Sequence, residues 1–362
     1  MRRFAVLRGM VLVAIFSLVA AACGGGEAEE TTTTGSGSGG EETTTTGASE
    51  DTTTPSAEAT ELTVMLPVDS PNMYGFRVAD ANGYFTDENL VVTLEFVDGS
   101  GAAIQQLLAG AGQIASVGTG TVAEALEQGF DDIRAIGNTN YGSVFLLTVP
   151  EDSDIQTPAD LEGARIGISE LSGGEVPVVR GIVAAAGFDP ESDVELVPIG
   201  EGTALAVQAI ENGEVDAYGG SVNDIVAVEV QGIGLRSLDP GDLSGVPALP
   251  LTTTQAFIEE NPQAVEGFLR AVARGAEFGQ TNPEETLEIL MEQSPEQFVD
   301  ETGERIFELI LDLWQPPDGE LFHSQSVESW EYFFDIIAVE LPEGSDLDTI
   351  IVDDFVEAAN DF

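Results

Sequence analysis

From Glu61 onward the chain alternates short apolar strands with amphipathic helices, and this alternation constrains it more than any other feature. Residues 62–66 (LTVML), 91–97 (VVTLEFV), 133–139 and 144–150 read as strands, and 114–120 (IASVGTG) as a strand running into a glycine turn. Between them, 71–85, 102–110 and 121–129 carry helical spacing. A second round follows, with strands at 164–169, 194–200, 215–220 and 234–238 and helices at 158–163, 173–187, 203–213 and 222–232. Strands separated by helices of this length predict a parallel sheet covered by helices on its faces. After residue 246 the pattern turns mainly helical. Asn261 with Pro262, and Asn282 with Pro283 and Glu285, read as two helix starts, the second a capping-box variant. Two more amphipathic helices are expected near 296–314 and 324–338.

Nothing before Glu61 follows this grammar. Arg2, Arg3 and Arg8 precede a thirteen-residue apolar run, Met10–Ala22, which is short of the ~20 residues needed to span a bilayer. A basic start, a short apolar core and small residues before a break describe an export signal, 1–22. Ala20-Ala21-Ala22-Cys23 resembles a bacterial lipobox, with Ala where Leu is usual three places before the Cys. The resemblance implies that Cys23, the only cysteine, is lipidated and becomes the first mature residue. The general secretory and twin-arginine routes both stay open. Residues 23–60 form an acidic Thr/Gly-rich tether in which EETTTTG occurs at 29–35 and 41–47. No apolar period there offsets the entropy of ordering, and a coil of this length reaches roughly 33 Å r.m.s..

The formal charge is −54, with 65 acids against eleven arginines and no lysine. Such a surface repels nucleic acid and anionic lipid. The acids are spread along the chain, and 43% hydrophobic residues suffice for a core. Screening by concentrated salt would relieve the self-repulsion, so a halophilic or marine origin is expected. One cysteine excludes any intrachain disulfide.

Several stretches, in order, resemble the substrate-binding proteins of bacterial ABC importers for nitrate, sulfonates, taurine and thiamin-related pyrimidines. They are ANGYFTDENLVVTLEF, GSGAAIQQLLAGAGQIASVGTGTVAEALEQG, TPADLEGARIGIS, ALAVQAIENGEVDAY and FIEENPQAVEGFLRAVARGAEF. The resemblance covers 62–340 and implies an α/β, two-lobed type II periplasmic-binding-protein fold with a mainly helical C-terminal region. Lobe one would comprise 61–148 plus 246–362 and lobe two 149–245, with crossing segments near 144–152 and 243–252. It further implies a monomeric, lipid-anchored receptor on the outer face of the cytoplasmic membrane. That receptor would deliver a small solute to permease subunits, with no cofactor and no metal.

In open α/β sheets, ligands bind beyond the carboxyl ends of strands. This rule selects the loops 67–74, 98–101, 118–121, 169–175 and 219–224. Helix N-termini there offer free N–H groups, with Gly101, Gly118, Gly173 and Gly174 allowing close approach. Ser100, Thr119, Thr121, Ser172 and Ser221 offer hydroxyls, Asn72, Asn138 and Asn223 amides, and Tyr74, Tyr141 and Tyr218 rings for stacking. For any one of the hydroxyls, helix capping is the commoner role.

An oxyanion would suit Ser172-Gly173-Gly174 at a helix N-terminus. Glu175 follows directly, however, and Asp69 and Asp224 sit in other cleft loops with no lysine to offset them. This favours an aminopyrimidine-like or amine-bearing solute over a sulfonate, taurine or nitrate. A salt-adapted surface would account for the same acids equally well. The pyrimidine synthase of yeast thiamin biosynthesis shares the fold and carries a Cys-rich motif and a sacrificial His. Here the single Cys23 and the single His323 supply neither, so a binding protein rather than an enzyme is expected. Carboxylate-only catalysis stays open.

Overall fold

The computed structural model describes residues 59–202, 204–241, 246, 248–337, 341 and 346–362. The export signal, Cys23 and nearly all of the tether lie outside the described residues.

Ten strands form two five-stranded sheets. They are β1 (Thr60–Leu66), β2 (Leu90–Phe96), β3 (Ile114–Ser116), β4 (Ile133–Asn138), β5 (Phe145–Pro150), β6 (Arg165–Ile168), β7 (Glu195–Pro198), β8 (Ala217–Ser221), β9 (Leu235–Ser237) and β10 (Pro250–Thr254). The first sheet runs β2-β1-β3-β10-β4 and the second β7-β6-β8-β5-β9. The protein is thus an α/β molecule of two lobes, each with its own sheet.

The sheets are mixed rather than parallel, which corrects the sequence reading. β1 is parallel to β2 and β3, and β6 to β7 and β8. β10 is antiparallel to β3 and β4, and β5 to β8 and β9. The cause is the crossing between lobes. β4 ends at the gap, the chain crosses at 139–144, and β5 therefore starts at the gap and runs away from it. β10 does the same after the second crossing. β5 accordingly belongs to the second sheet, and the first crossing falls a few residues before the expected 144–152. β10 overlaps the end of the second expected crossing segment, 243–252, and continues two residues past it.

The C-terminal region packs on the first lobe. Helix Pro262–Thr281 buries Ala264, Val265, Phe268, Leu269, Val272 and Ala276 along one stripe. It crosses helix Tyr74–Ala81 so closely that a Cβ on Gly275 would lie 2.1 Å from the Gly75 carbonyl oxygen. Phe268 stacks on Phe76 and Phe85; truncating such a ring typically costs ~3–5 kcal/mol. Pro262 and Pro283 open their helices as expected, but neither Asn261 nor Asn282 caps with its side chain. Each asparagine also ends the preceding helix, and the Asn282 amide turns back to donate to the Phe278 carbonyl at 3.2 Å. The capping box with Glu285 does not form.

Candidate functional site: a carboxylate-walled cleft between the lobes

The carboxyl ends of β1, β2, β6, β7 and β8 meet the amino ends of β5 and β10 around a cavity of about 120 Å³. That is the scale of a cavity that admits one benzene ring, ~150 Å³. The first lobe contributes Pro67, Val68, Asn72, Gly99, Ser100 and Leu249. The second contributes Phe145 after Val144, Ser169, Glu170, Gly173, Gly174, Glu175, Glu201, Ser221, Asn223 and Asp224.

The lobes approach closely at glycines. A Cβ on Gly174 would lie 2.8 Å from the Phe145 ring and 3.2 Å from the Ser100 hydroxyl, so a side chain there would push into the gap. Ser100 Oγ accepts from the Gly118 N–H at 3.0 Å. Across the gap, the Ser70 hydroxyl donates to Asn223 Oδ1 at 2.8 Å and accepts from the Asn72 N–H at 3.0 Å.

Among the described residues, four carboxylates line the cavity and no arginine does. Glu175, in the first turn of helix Glu175–Ala185, is 4% exposed. Its Oε1 accepts from the Ser169 N–H at 2.9 Å and from the Ser169 hydroxyl. Burial pushes its carboxyl above the usual range; the Ser169 hydrogen bonds offset part of this, and the Asp224 charge adds to it. Asp224 forms a capping box with Ser221 at the start of helix Val222–Val230 and accepts from the Gly202 N–H at 3.0 Å. Glu201, exposed at the mouth, is also raised, by partial desolvation and then by Asp224, Asp98, Glu175 and Glu170. The two second-lobe helix N-termini at the cleft are therefore met by the helix's own acid, which offsets their attraction for an anion, whereas helix Gly99–Leu108, whose Gly99 and Ser100 line the cavity, carries no acid in its first turn.

Of the residues singled out in sequence, Asn72, Ser100, Gly173, Gly174, Glu175, Ser221, Asn223 and Asp224 line the cavity. The others stand elsewhere. Asp69 is paired with Arg77 and accepts from the Ser294 hydroxyl at 3.1 Å, so its charge is compensated outside the gap. Tyr74 is fully buried, its ring 4.8 Å from Trp314 and 5.7 Å from Phe307; it is core, not a stacking platform. Tyr141 donates to the Leu321 carbonyl at 3.1 Å, tying the crossing segment to the C-terminal region. Thr119 and Thr121 are buried in the first turn of helix Thr119–Glu127. Ser172 is exposed beside the cleft, and its carbonyl lies 3.6 Å from where a Cβ on Gly101 would stand. Tyr218 is buried and donates to the Gly200 carbonyl at 3.3 Å. Asn138 is buried behind the gap, its amide donating to the Asn140 carbonyl at 2.6 Å.

Sequence reasoning missed Val144, Phe145 and Leu249, because the strand-end rule selects carboxyl ends and these lie at or beside the amino ends of the two crossing strands. Glu201 was within its reach, since it directly follows the strand predicted at 194–200. His323 is buried away from the cavity, Nδ1 3.0 Å from the Asn138 carbonyl oxygen and Nε2 2.8 Å from that of Leu269. Burial pushes its pKa down.

Two α/β lobes joined by two crossings, with a cavity between them, define the class of two-lobed binding-protein folds. The chain belongs to the NMT1/THI5-like family, whose model matches residues 70–286, more than half of its length. It is 29% identical over 264 residues to a formylaminopyrimidine-binding protein of Halalkalibacterium halodurans, covering 70% of this chain and 77% of that one. It is 26% identical over 269 residues to the riboflavin-binding protein RibY of Chloroflexus aurantiacus, covering 72% and 75%. Among solved structures, the periplasmic aliphatic sulphonate binding protein SsuA of Escherichia coli superposes with a TM-score of 0.63 at 18% identity, over 82% of this chain and 92% of that one. The desulfurization enzyme DSZB shares the fold at a TM-score of 0.50 and 18% identity, over 83% and 98%. Among the described residues no helix is long and apolar enough to cross a membrane.

Proposed function

We propose that this chain is the extracytoplasmic solute receptor of an ABC importer, capturing a small amine-bearing nitrogen heterocycle between its lobes and changing no bond. The observation that carries this is the wall of Glu175, Asp224, Glu201 and Glu170, with no arginine among the described lining residues. An anion placed there would meet uncompensated carboxylates, whereas ring amino groups or a cationic ring would find acceptors. The cavity volume favours a single ring over a larger fused system. The relative that binds formylaminopyrimidine supports the same choice.

Among the described residues the lining contains no thiol and no imidazole, which supports binding over catalysis of the synthase type. Lipidation at Cys23, tethering at the outer face of the cytoplasmic membrane, a monomeric state and docking to permease subunits complete the proposal. The test is a thermal-shift screen of nitrate, sulfonates, amines and aminopyrimidines at high salt. Ligand at 100 times Kd stabilises by ~2.7 kcal/mol. Shifts confined to amines and aminopyrimidines are expected; a shift with nitrate or a sulfonate alone would reverse the charge assignment.

A further inference from the structure

Asn72 is 4% exposed, and that small remainder lines the cavity. Its Oδ1 faces two donors at 3.3 Å, the Trp314 indole N–H and the Asn140 amide, which fixes which end of the Asn72 amide is oxygen. Its backbone carbonyl accepts from the same indole at 3.1 Å and its N–H donates to Ser70. Among the described residues, only Asn72 Nδ2 has no protein partner within this group. Asn223, on the facing lobe, repeats the arrangement. Its Oδ1 accepts from the Ser70 hydroxyl, and its Nδ2 has no partner among the described residues that line the gap with it.

We infer that Asn72 and Asn223 are the specificity-determining donors of the cleft, presenting amide N–H groups from opposite lobes to lone pairs on the ligand. The carboxylates accept from the ligand's N–H groups; the two amides read its acceptors. A ring carrying both, an amino group and in-ring nitrogens, satisfies the whole lining, and an amine on a plain hydrocarbon ring leaves both amides unpaired. Leaving a buried donor unpaired is the effective form of discrimination in such sites. Ser70 sets the second amide only when the lobes meet, so acceptor reading by Asn223 is completed on closure. This rests on the receptor proposal and adds to it the acceptor half of the ligand.

The test is calorimetric titration of the intact protein at high salt with 4-aminopyrimidine and with aniline, which has the amino group and a six-membered ring but no in-ring nitrogen. The wild-type protein is expected to prefer 4-aminopyrimidine by about tenfold or more, although aniline is the more apolar, and Asn223→Ala to cut that preference to about threefold or less. Asn72→Ala should do the same, and Asn223→Ala, at a partly exposed helix position, serves if Asn72→Ala does not fold. Equal binding of the two probes by the wild type, or an unchanged preference in Asn223→Ala, overturns the assignment while leaving the receptor standing. Binding of neither probe by the wild type overturns the amine-bearing-ring reading and this inference with it.

Discussion

The Ser70 hydroxyl and the Asn223 side-chain oxygen meet at 2.8 Å, joining the first lobe's cleft loop to the second lobe's. The contact bridges the two lobes, so on the receptor proposal it resists their separation and slows ligand release rather than guiding the encounter. Ser70→Ala removes a hydrogen bond of about 1 kcal/mol, a factor of about five in rate. Stopped-flow measurement with a bound amino-heterocycle should show dissociation faster by that factor and association unchanged. An unchanged dissociation rate would show that the contact does not hold the lobes.

Glu175 sets a pH dependence. Its folded-state carboxyl is raised by burial, so the empty protein binds that proton to higher pH than the unfolded chain does. The resulting stability is full below the ordinary Glu pKa of ~4.3 and is lost as pH rises through the raised value. Glu175→Gln has no such proton to lose, and its melting temperature should fall less than wild type as pH climbs from the ordinary carboxylate range toward neutral. Amine affinity should strengthen with pH in the wild type, as the carboxylate forms, and be weaker and flatter in the variant. Parallel melting profiles for the two proteins would contradict this.

Salt should stabilise the body. Sixty-five acids face eleven arginines, and the seven ion pairs among the described residues, such as Arg305 with Glu229 at 2.9 Å, are mostly surface pairs worth ~0–1 kcal/mol each. Screening of the surplus repulsion should exceed the loss of those pairs. Melting temperature is expected to rise from dilute buffer to molar NaCl; a flat or falling curve would remove the case for salt adaptation.

Cys23→Ser tests the anchor. If the lipobox is read in the cell, wild type fractionates with membranes and the variant appears in the soluble extracytoplasmic fraction. Retention of the variant on membranes would assign the anchoring to something other than lipidation.

Much of the frame was legible in sequence because strand and helix periods are local. Val64 and Leu66 in β1, or the stripe on helix Pro262–Thr281, announce themselves within a few residues. The direction of β5 and β10 was not legible, because it follows from which lobe the chain has just left. The site divides the same way. Glu175 and Asp224 follow from loops after strands, whereas the removal of Asp69 depends on Arg77 and on Ser294, more than two hundred residues away. An aromatic residue such as Tyr74 reads identically at a cleft or in a core until Trp314 and Phe307 close over it.

The most direct measurement is titration of the purified body at high salt with an aminopyrimidine and with ethanesulfonate, followed by mass analysis of the recovered ligand. Saturable one-to-one heat with the aminopyrimidine, none with the sulfonate, and recovery of the ligand unaltered are expected. Saturation by the sulfonate instead, or recovery of a converted product, would contradict a carboxylate-walled receptor.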